Sequence, residues 1–475
     1  MDKILKAIFF CLLFLAGSTV KADIIFPAFI SDGMVLQQQT NAPLWGKTSA
    51  GNRVTVVTSW NNKEYVTESD NRGYWKLRVE TPGAGGPYSI TFKEENNSIT
   101  LQDILIGEVW LCSGQSNMEM PMKGFKNQPV ENANMDILKS ANPRIRLFTV
   151  KRNSTLAIQE DVTGEWAPAT PASVKEFSAT GYYFGRLLQE ILDVPVGLVC
   201  ASWGGSWIEG WMGTDMLQSF PEVRLPEKES DIREKNRTPT TLYNAMISPL
   251  VGFSIRGVIW YQGESNYDRY HNYTDLFKTM VEGWRSKWDQ GPFPFYYCQI
   301  APYDYALVTP EGEEVINSAY LREAQLNAER AIENSGMVVL LDAGSEKGIH
   351  PAKKQVPGER LALQALAKTY KIEGITADSP VYKEMEIRGD TVILSFDRTD
   401  MWITALNGEL NHFTIAGSDR QFHKAEAWIS RSKVYVKADM VKEPVAVRYA
   451  FENYVEGDLF GTEGLPVSSF RTDNW

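Results

Sequence analysis

Gly107-Glu-Val-Trp-Leu-Cys-Ser-Gly-Gln-Ser-Asn-Met-Glu-Met-Pro-Met122 is the stretch on which the reading of this chain turns. Ile104–Ile106 and Val109–Leu111 form an apolar run that leads into it and stops at Ser113-Gly114-Gln115-Ser116-Asn117. The pattern is that of a buried strand ending in a tight, glycine-permitted turn that presents one hydroxyl, Ser116. A serine so placed can act as a nucleophile if a base reaches its oxygen and N–H donors surround the attacked carbonyl. The plainer alternative is a Ser-Asn turn whose side chains bond only their own backbone.

Downstream, strand-like runs alternate with helical ones. Ile104–Cys112, Val194–Ala201, Ile255–Tyr261, Phe293–Ile300 and Met337–Leu341 read as strands. Ser178–Ile191, Tyr273–Trp288, Ala319–Ile332 and Lys354–Tyr370 read as helices. Alternation of this kind predicts an α/β fold with a doubly wound parallel sheet and right-handed crossovers. Ligands then bind beyond the carboxyl ends of the strands. On either side the pattern is β. Arg53–Thr58, Tyr74–Val79 and Tyr88–Phe92 precede the core, while Lys383–Ile387, Thr391–Phe396, Val434–Ala438 and Val445–Tyr449 follow it. Both regions predict small sandwiches.

The loops after the predicted strands carry complementary chemistry. Gly114-Gln115-Ser116-Asn117 supplies the hydroxyl. Ser202-Trp203-Gly204-Gly205-Ser206-Trp207 supplies backbone N–H groups at Gly204 or Gly205 that an oxyanion can approach. Gln262-Gly263-Glu264-Ser265-Asn266 supplies a side-chain donor at Gln262 or Asn266. The last strand is followed by Asp342 and then by Gly348-Ile349-His350-Pro351. Of the four histidines, His271, His350, His412 and His423, only His350 follows a predicted parallel strand. That position makes it the candidate base, taking the Ser116 proton and returning it to the leaving alcohol. Convergence of these loops on one sheet edge favours the nucleophile reading of Ser116 over the turn reading.

Composition narrows the function classes. The chain has 475 residues and a formal charge of −11, which argues against nucleic acid or an anionic membrane as partner. Ala7–Leu15 is an apolar core too short for a membrane span, and Val20-Lys21-Ala22 fits a cleavage site. Residues 1–22 are thus expected to be a secretory signal, leaving a periplasmic or extracellular protein. Beyond the leader, Cys112, Cys200 and Cys298 are an odd set in apolar runs, which predicts buried free thiols. No CxxC or paired-histidine motif calls for a metal. The 14 tryptophans and 20 tyrosines suit sugar surfaces, although each ring taken singly has packing as its default role.

GQSNM, WGGSWIEGWM, WYQGESN and GIHPAKKQVPGERLAL resemble the blocks of SGNH-type hydrolases. The closer resemblance is to the sialate O-acetylesterase family and its acetyl-xylan esterase relatives. Thr241–Ile247, Leu321–Gln325 and the segment Gly464–Asp473 extend it over nearly the whole chain. The resemblance implies an SGNH-hydrolase-like, flavodoxin-like core at 102–378, between β domains at 23–101 and 379–475. It also implies a serine O-acetylesterase with Ser116 as nucleophile and His350 as base. The Ser116 amide, Gly204 or Gly205, and a polar side chain of Gln262–Asn266 would form the oxyanion hole. Neither metal nor organic cofactor is implied, and the partner is an O-acetylated sugar. The family points to 9-O-acetylated sialic acid, with acetyl-xylan as the alternative substrate and a non-catalytic glycan-binding protein as the alternative class.

Many relatives carry an aspartate just before the histidine, where this chain has Lys347 and Gly348. The group that orients His350 is therefore expected to be a backbone carbonyl, Asp342 or Glu346. Gln115, Trp207 and Glu264 are candidates for touching substrate. Glu264 has a second reading as a buried acid paired with an arginine such as Arg322, and Trp110 and Trp211 are further candidates for lining the sugar site. Lys353 and Lys354 read as a solvated helix face.

Overall fold

The computed structural model describes residues 24–95, 97–399, 402–406 and 408–475. The expected secretory signal lies outside them. Its central sheet has the order Ser335–Val338, Phe295–Cys298, Gly257–Tyr261, Asn97–Gly114, Val196–Ser202, Asn142–Thr149 and Trp166–Ala169. The pairs are parallel except the last, which is antiparallel. The strands Val196–Ser202 and Gly257–Tyr261 are buried at every residue, as strands covered by helices on both faces must be. Helices Ala179–Leu192, Tyr273–Trp288, Ala319–Ala331 and Gln355–Gln364 follow at the expected places. Helix Tyr273–Trp288 buries Leu276, Phe277, Met280, Val281, Trp284 and Trp288, a stripe at helical spacing.

The register places the site. Val338 pairs with Cys298, Cys298 with Tyr261, Tyr261 with Gly114, and Gly114 with Ser202. The strands therefore end in one row, and their loops emerge at the same level on the same edge. Gly114 is at φ +131°, and a Cβ there would lie 2.2 Å from the Tyr261 carbonyl oxygen. Only glycine permits this turn. Chain order reverses beside the Asn97–Gly114 strand, because the chain leaves it for Asn142–Thr149 before returning to Val196–Ser202. Such a switch point opens a crevice at the carboxyl ends.

Two strands of this sheet, Asn142–Thr149 and its antiparallel partner Trp166–Ala169, were not expected. Asn142–Thr149 contains Pro143 and two arginines, a poor strand pattern. It holds because Arg146 is buried and forks onto Asp103 at 2.6 and 3.0 Å. The expected first strand is also longer at its start. Asn97–Gly114 pairs with Gly85–Glu94 of the N-terminal β region and then with the core strands, so one strand spans the expected boundary at 101–102. The N-terminal region packs Phe26, Trp75 and Phe92 together. Among the described residues the C-terminal region has two four-stranded antiparallel sheets, in contact where Tyr382 stacks on Phe470, and a two-stranded one formed by Ile403–Ala405 and Leu459–Gly461.

Arg322 does not meet Glu264. It is fully buried and donates to the Ala450 and Glu452 carbonyls and to Ser469 Oγ, which fastens the core helix to the C-terminal region. Cys112, Cys200 and Cys298 are buried free thiols.

Candidate active site

Ser116 is 8 % exposed and opens a one-turn helix, Ser116–Glu119, directly after the Gly114 turn. The Gly204 loop lies against it, since a Cβ on Gly204 would come within 3.2 Å of Ser116 Cβ. The Gly204 N–H donates to Glu119 Oε2 at 2.8 Å, and Arg152 Nε holds the other Glu119 oxygen at 2.5 Å. Gly205 stands at φ +69°, and its carbonyl accepts from Arg237 Nε at 3.2 Å. The Gly204 amide, one of the expected oxyanion donors, is thus engaged by a carboxylate.

The Gln262 loop is mostly internal scaffolding. Gln262 is fully buried, and Nε2 donates to the Ser206 carbonyl (3.1 Å) and to Asn266 Oδ1 (2.7 Å), which uses both of its hydrogens. This corrects the expectation that Gln262 offers a donor to substrate. Asn266 is fully buried too, gives one N–H to Glu209 Oε2 at 3.1 Å and keeps the other. Gln115 is 2 % exposed, and its Oε1 caps the Gly263 and Ser265 amides at 3.2 and 3.3 Å. Its carbonyl therefore braces the neighbouring loop.

His350 is half-buried. Its Nδ1 is hydrogen-bonded to Gln128 Oε1, and its ring meets the edge of Phe125 at 5.2 Å. An amide oxygen can only accept, so Nδ1 carries the hydrogen and Nε2 keeps its lone pair, the tautomer a general base needs. Burial pushes the imidazole down to about 4, with the Lys354 charge adding to it. Among the described residues no hydrogen bond joins the His350 ring to Ser116, a contact that commonly tightens only with substrate bound. The two loops are nonetheless tied, because Asn117 Nδ2 donates to the Ile349 carbonyl at 3.0 Å.

Asp342 does not orient the histidine. Its two oxygens take a fork from Arg360 at 2.7 and 2.6 Å. Glu346 is exposed, and the carbonyl on His350 is a side-chain one, from Gln128. No feature of Lys-Asn-Gln-Pro marks Gln128 in the sequence; only its nearness in chain to the Ser116 turn hints at it. Glu264 is buried, accepts from Asn117 Nδ2 at 2.5 Å, and has Oε2 unpartnered. Burial raises its pKa. Lys354 is not on a solvated face: it is 1 % exposed and donates to Asn117 Oδ1 at 2.6 Å and to the Pro351 carbonyl at 2.7 Å.

Trp110 and Trp211 are core residues, fully buried, with indole N–H groups on Tyr370 OH and Ser206 Oγ. Trp207 is half-buried, with Arg269 3.8 Å from its ring centroid and Arg237 5.5 Å away. It lines a cavity of about 470 Å³ with Arg224, Lys228, Arg233 and Arg237, facing Glu227, Asp231 and Glu234. Among the described residues no three His, Cys, Asp or Glu side chains gather as a metal centre requires.

The family of carbohydrate esterases described as sialic acid-specific acetylesterases matches residues 106–366. The sialate O-acetylesterase of Homo sapiens is 30 % identical over 395 residues, covering 76 % of this chain and 74 % of its own. That of Mus musculus is 28 % identical over 431 residues, covering 78 % of each. The crystal structure of a carbohydrate acetylesterase from Xanthomonas citri superposes with a TM-score of 0.86 at 35 % identity, covering 95 % of this chain and all of that one. With the strand-end loops and the Ser116 turn arranged as described, this chain is a carboxylic ester hydrolase and belongs to the sialic acid-specific acetylesterase family of carbohydrate esterases.

Proposed function

We propose that this protein is exported and removes acetyl groups from O-acetylated sialic acid through an acetyl-enzyme on Ser116. His350 Nε2 takes the serine proton as Oγ attacks the acetyl carbonyl, then returns it to the sugar hydroxyl as the C–O bond breaks. Water, deprotonated by the same nitrogen, releases acetate. The Ser116 and Gly205 amides, with Asn266 as the side-chain candidate, stabilise the tetrahedral oxyanion. Gln128 fixes the tautomer of His350 in place of a carboxylate. The β regions, 23–101 and 379–475, brace the esterase core at 102–378. Export rests on the apolar leader; among the described residues no helix is long and apolar enough to cross a membrane.

The observation that carries the sialate reading is the arginine-lined cavity against the oxyanion loop. Asn236 Nδ2 donates to the Gly204 carbonyl at 2.8 Å and Arg237 to that of Gly205, so the wall of this cavity, where Arg224, Lys228 and Arg233 stand among Glu227, Asp231 and Glu234, is tied to that loop. A guanidinium fork suits the carboxylate that a sialic acid carries and xylan lacks. Acetate release should be compared on 9-O-acetylated sialic acid, acetyl-xylan and an aryl acetate. Sialate preference that Arg233→Ala, on the cavity wall and away from the oxyanion loop, weakens through KM, with aryl acetate turnover unchanged, is the expected result. Preference for acetyl-xylan would overturn the sialate assignment and leave the esterase intact.

A further inference from the structure

His350 lies between two carbonyls, one gripped by the neighbour of the nucleophile and the other by Lys354, three residues further along the chain than that carbonyl. The Ile349 carbonyl accepts from Asn117 Nδ2, and the Pro351 carbonyl accepts from Lys354 Nζ. Lys354 reaches back to Asn117 Oδ1, so Asn117, the neighbour of Ser116, closes the circuit. The same Asn117 amide bonds Glu264, so its two ends join a carboxylate and the lysine. A fully buried ammonium is costly to desolvate: burial pushes the Lys354 amine down to about 7, and the Glu264 charge, bonded to the other end of the Asn117 amide, offsets only part of that cost. An apolar residue of similar length would pack this position without that cost, but it could not hold the Pro351 carbonyl.

We infer that Lys354 is a positioning residue for the esterase reaction: its ammonium spans Pro351 and Asn117 and thereby holds His350 in register with Ser116. The inference rests on the Ser116–His350 reading above. The charged and titratable groups around the pair are Glu264 from the Gly263 loop, Cys298 from the strand end and Lys354 itself. The lysine charge also disfavours protonation of the His350 ring, which lies on the same loop.

The test compares Lys354→Met and the double variant Lys354→Met with Glu264→Gln, each in the mature protein, on an aryl acetate and on the acetylated sugar. Lys354→Met is expected to lower kcat by about 100-fold, the cost of a small misplacement of the base, while KM stays within about 3-fold. The acid limb of kcat/KM is expected to move up towards the ordinary histidine range. The double variant removes both buried charges, so it folds at least as well as the single one, yet kcat stays low. A folded Lys354→Met enzyme with wild-type kcat and an unmoved limb would overturn the inference. So would recovery of wild-type kcat in the double variant, because the lysine would then serve only to neutralise Glu264. Failure of both variants to fold would make Lys354 a folding residue and overturn it as well. An inactive wild-type enzyme would instead sink the serine-esterase reading, and that is seen before any variant is made.

Discussion

Two buried glutamates sit at opposite ends of the same sheet, and they are treated differently. Glu108, at the amino end, is fully buried and saturated. Its Oε1 accepts from Gln37, Gln38 and Arg256, and its Oε2 from Arg256 and Tyr370 OH. Glu264, at the carboxyl end, accepts one side-chain bond, from Asn117, and leaves Oε2 unpartnered. The first is a joint where the N-terminal strands, the core and the Tyr370 segment meet. The second lies beneath the candidate nucleophile, in a network whose members also touch the histidine loop. Buried polar groups are normally satisfied, and the exceptions gather where function is bought at the expense of stability.

The comparison is sharpest at Ser116. Replacing it with alanine is expected to lower kcat by about 10⁴-fold or more while the melting temperature stays put, because the hydroxyl bears on chemistry and not on packing. Steady-state acetate release alongside a thermal melt checks both halves.

Glu108→Gln should do the reverse. Removing the charge leaves Arg256 poorly compensated and costs about 3 kcal/mol of stability, read as a lower denaturant midpoint. The kcat of the folded enzyme is unchanged. A loss of kcat without a loss of stability would break the distinction between the two ends.

Gln128→Ala frees the His350 ring without touching either glutamate. A drop in kcat of about 100-fold is expected, with KM little altered. Gln128→Glu should recover much of the rate, since a carboxylate also accepts from Nδ1–H.

The smallest effect is on pH dependence. With the imidazole held down to about 4, the base is neutral and competent above that value and is lost only as it gains a proton. The acid limb of kcat/KM is therefore expected near pH 4 and not near the ordinary histidine value of about 6.5.

Much of this was legible in the chain. Val196–Ser202 and Gly257–Tyr261 are continuous apolar runs because both their faces are covered, and such runs announce themselves. Alternation of strand and helix then implied the edge on which Ser116, Gly204, Gln262 and His350 emerge. Side-chain direction was not legible. Gln262 and Gln115 turn their amides into the scaffold, and Asp342 is taken by Arg360, eighteen residues further on. Lys354 looked like a surface residue in a polar run, and Gln128 carried no mark, because each is defined by a partner far away in sequence. The strand Asn142–Thr149 was hidden for the same reason: Arg146 is tolerable in a sheet only because Asp103 meets it.

The most direct test of the central claim is to trap the acyl intermediate. The mature protein is mixed with an acetyl ester, quenched in acid within the first turnover, digested and read by mass spectrometry. The expected result is one added acetyl group on the peptide containing Ser116, absent in Ser116→Ala. Acetate release with no acetylated peptide, or with the acetyl group on another residue, would contradict it.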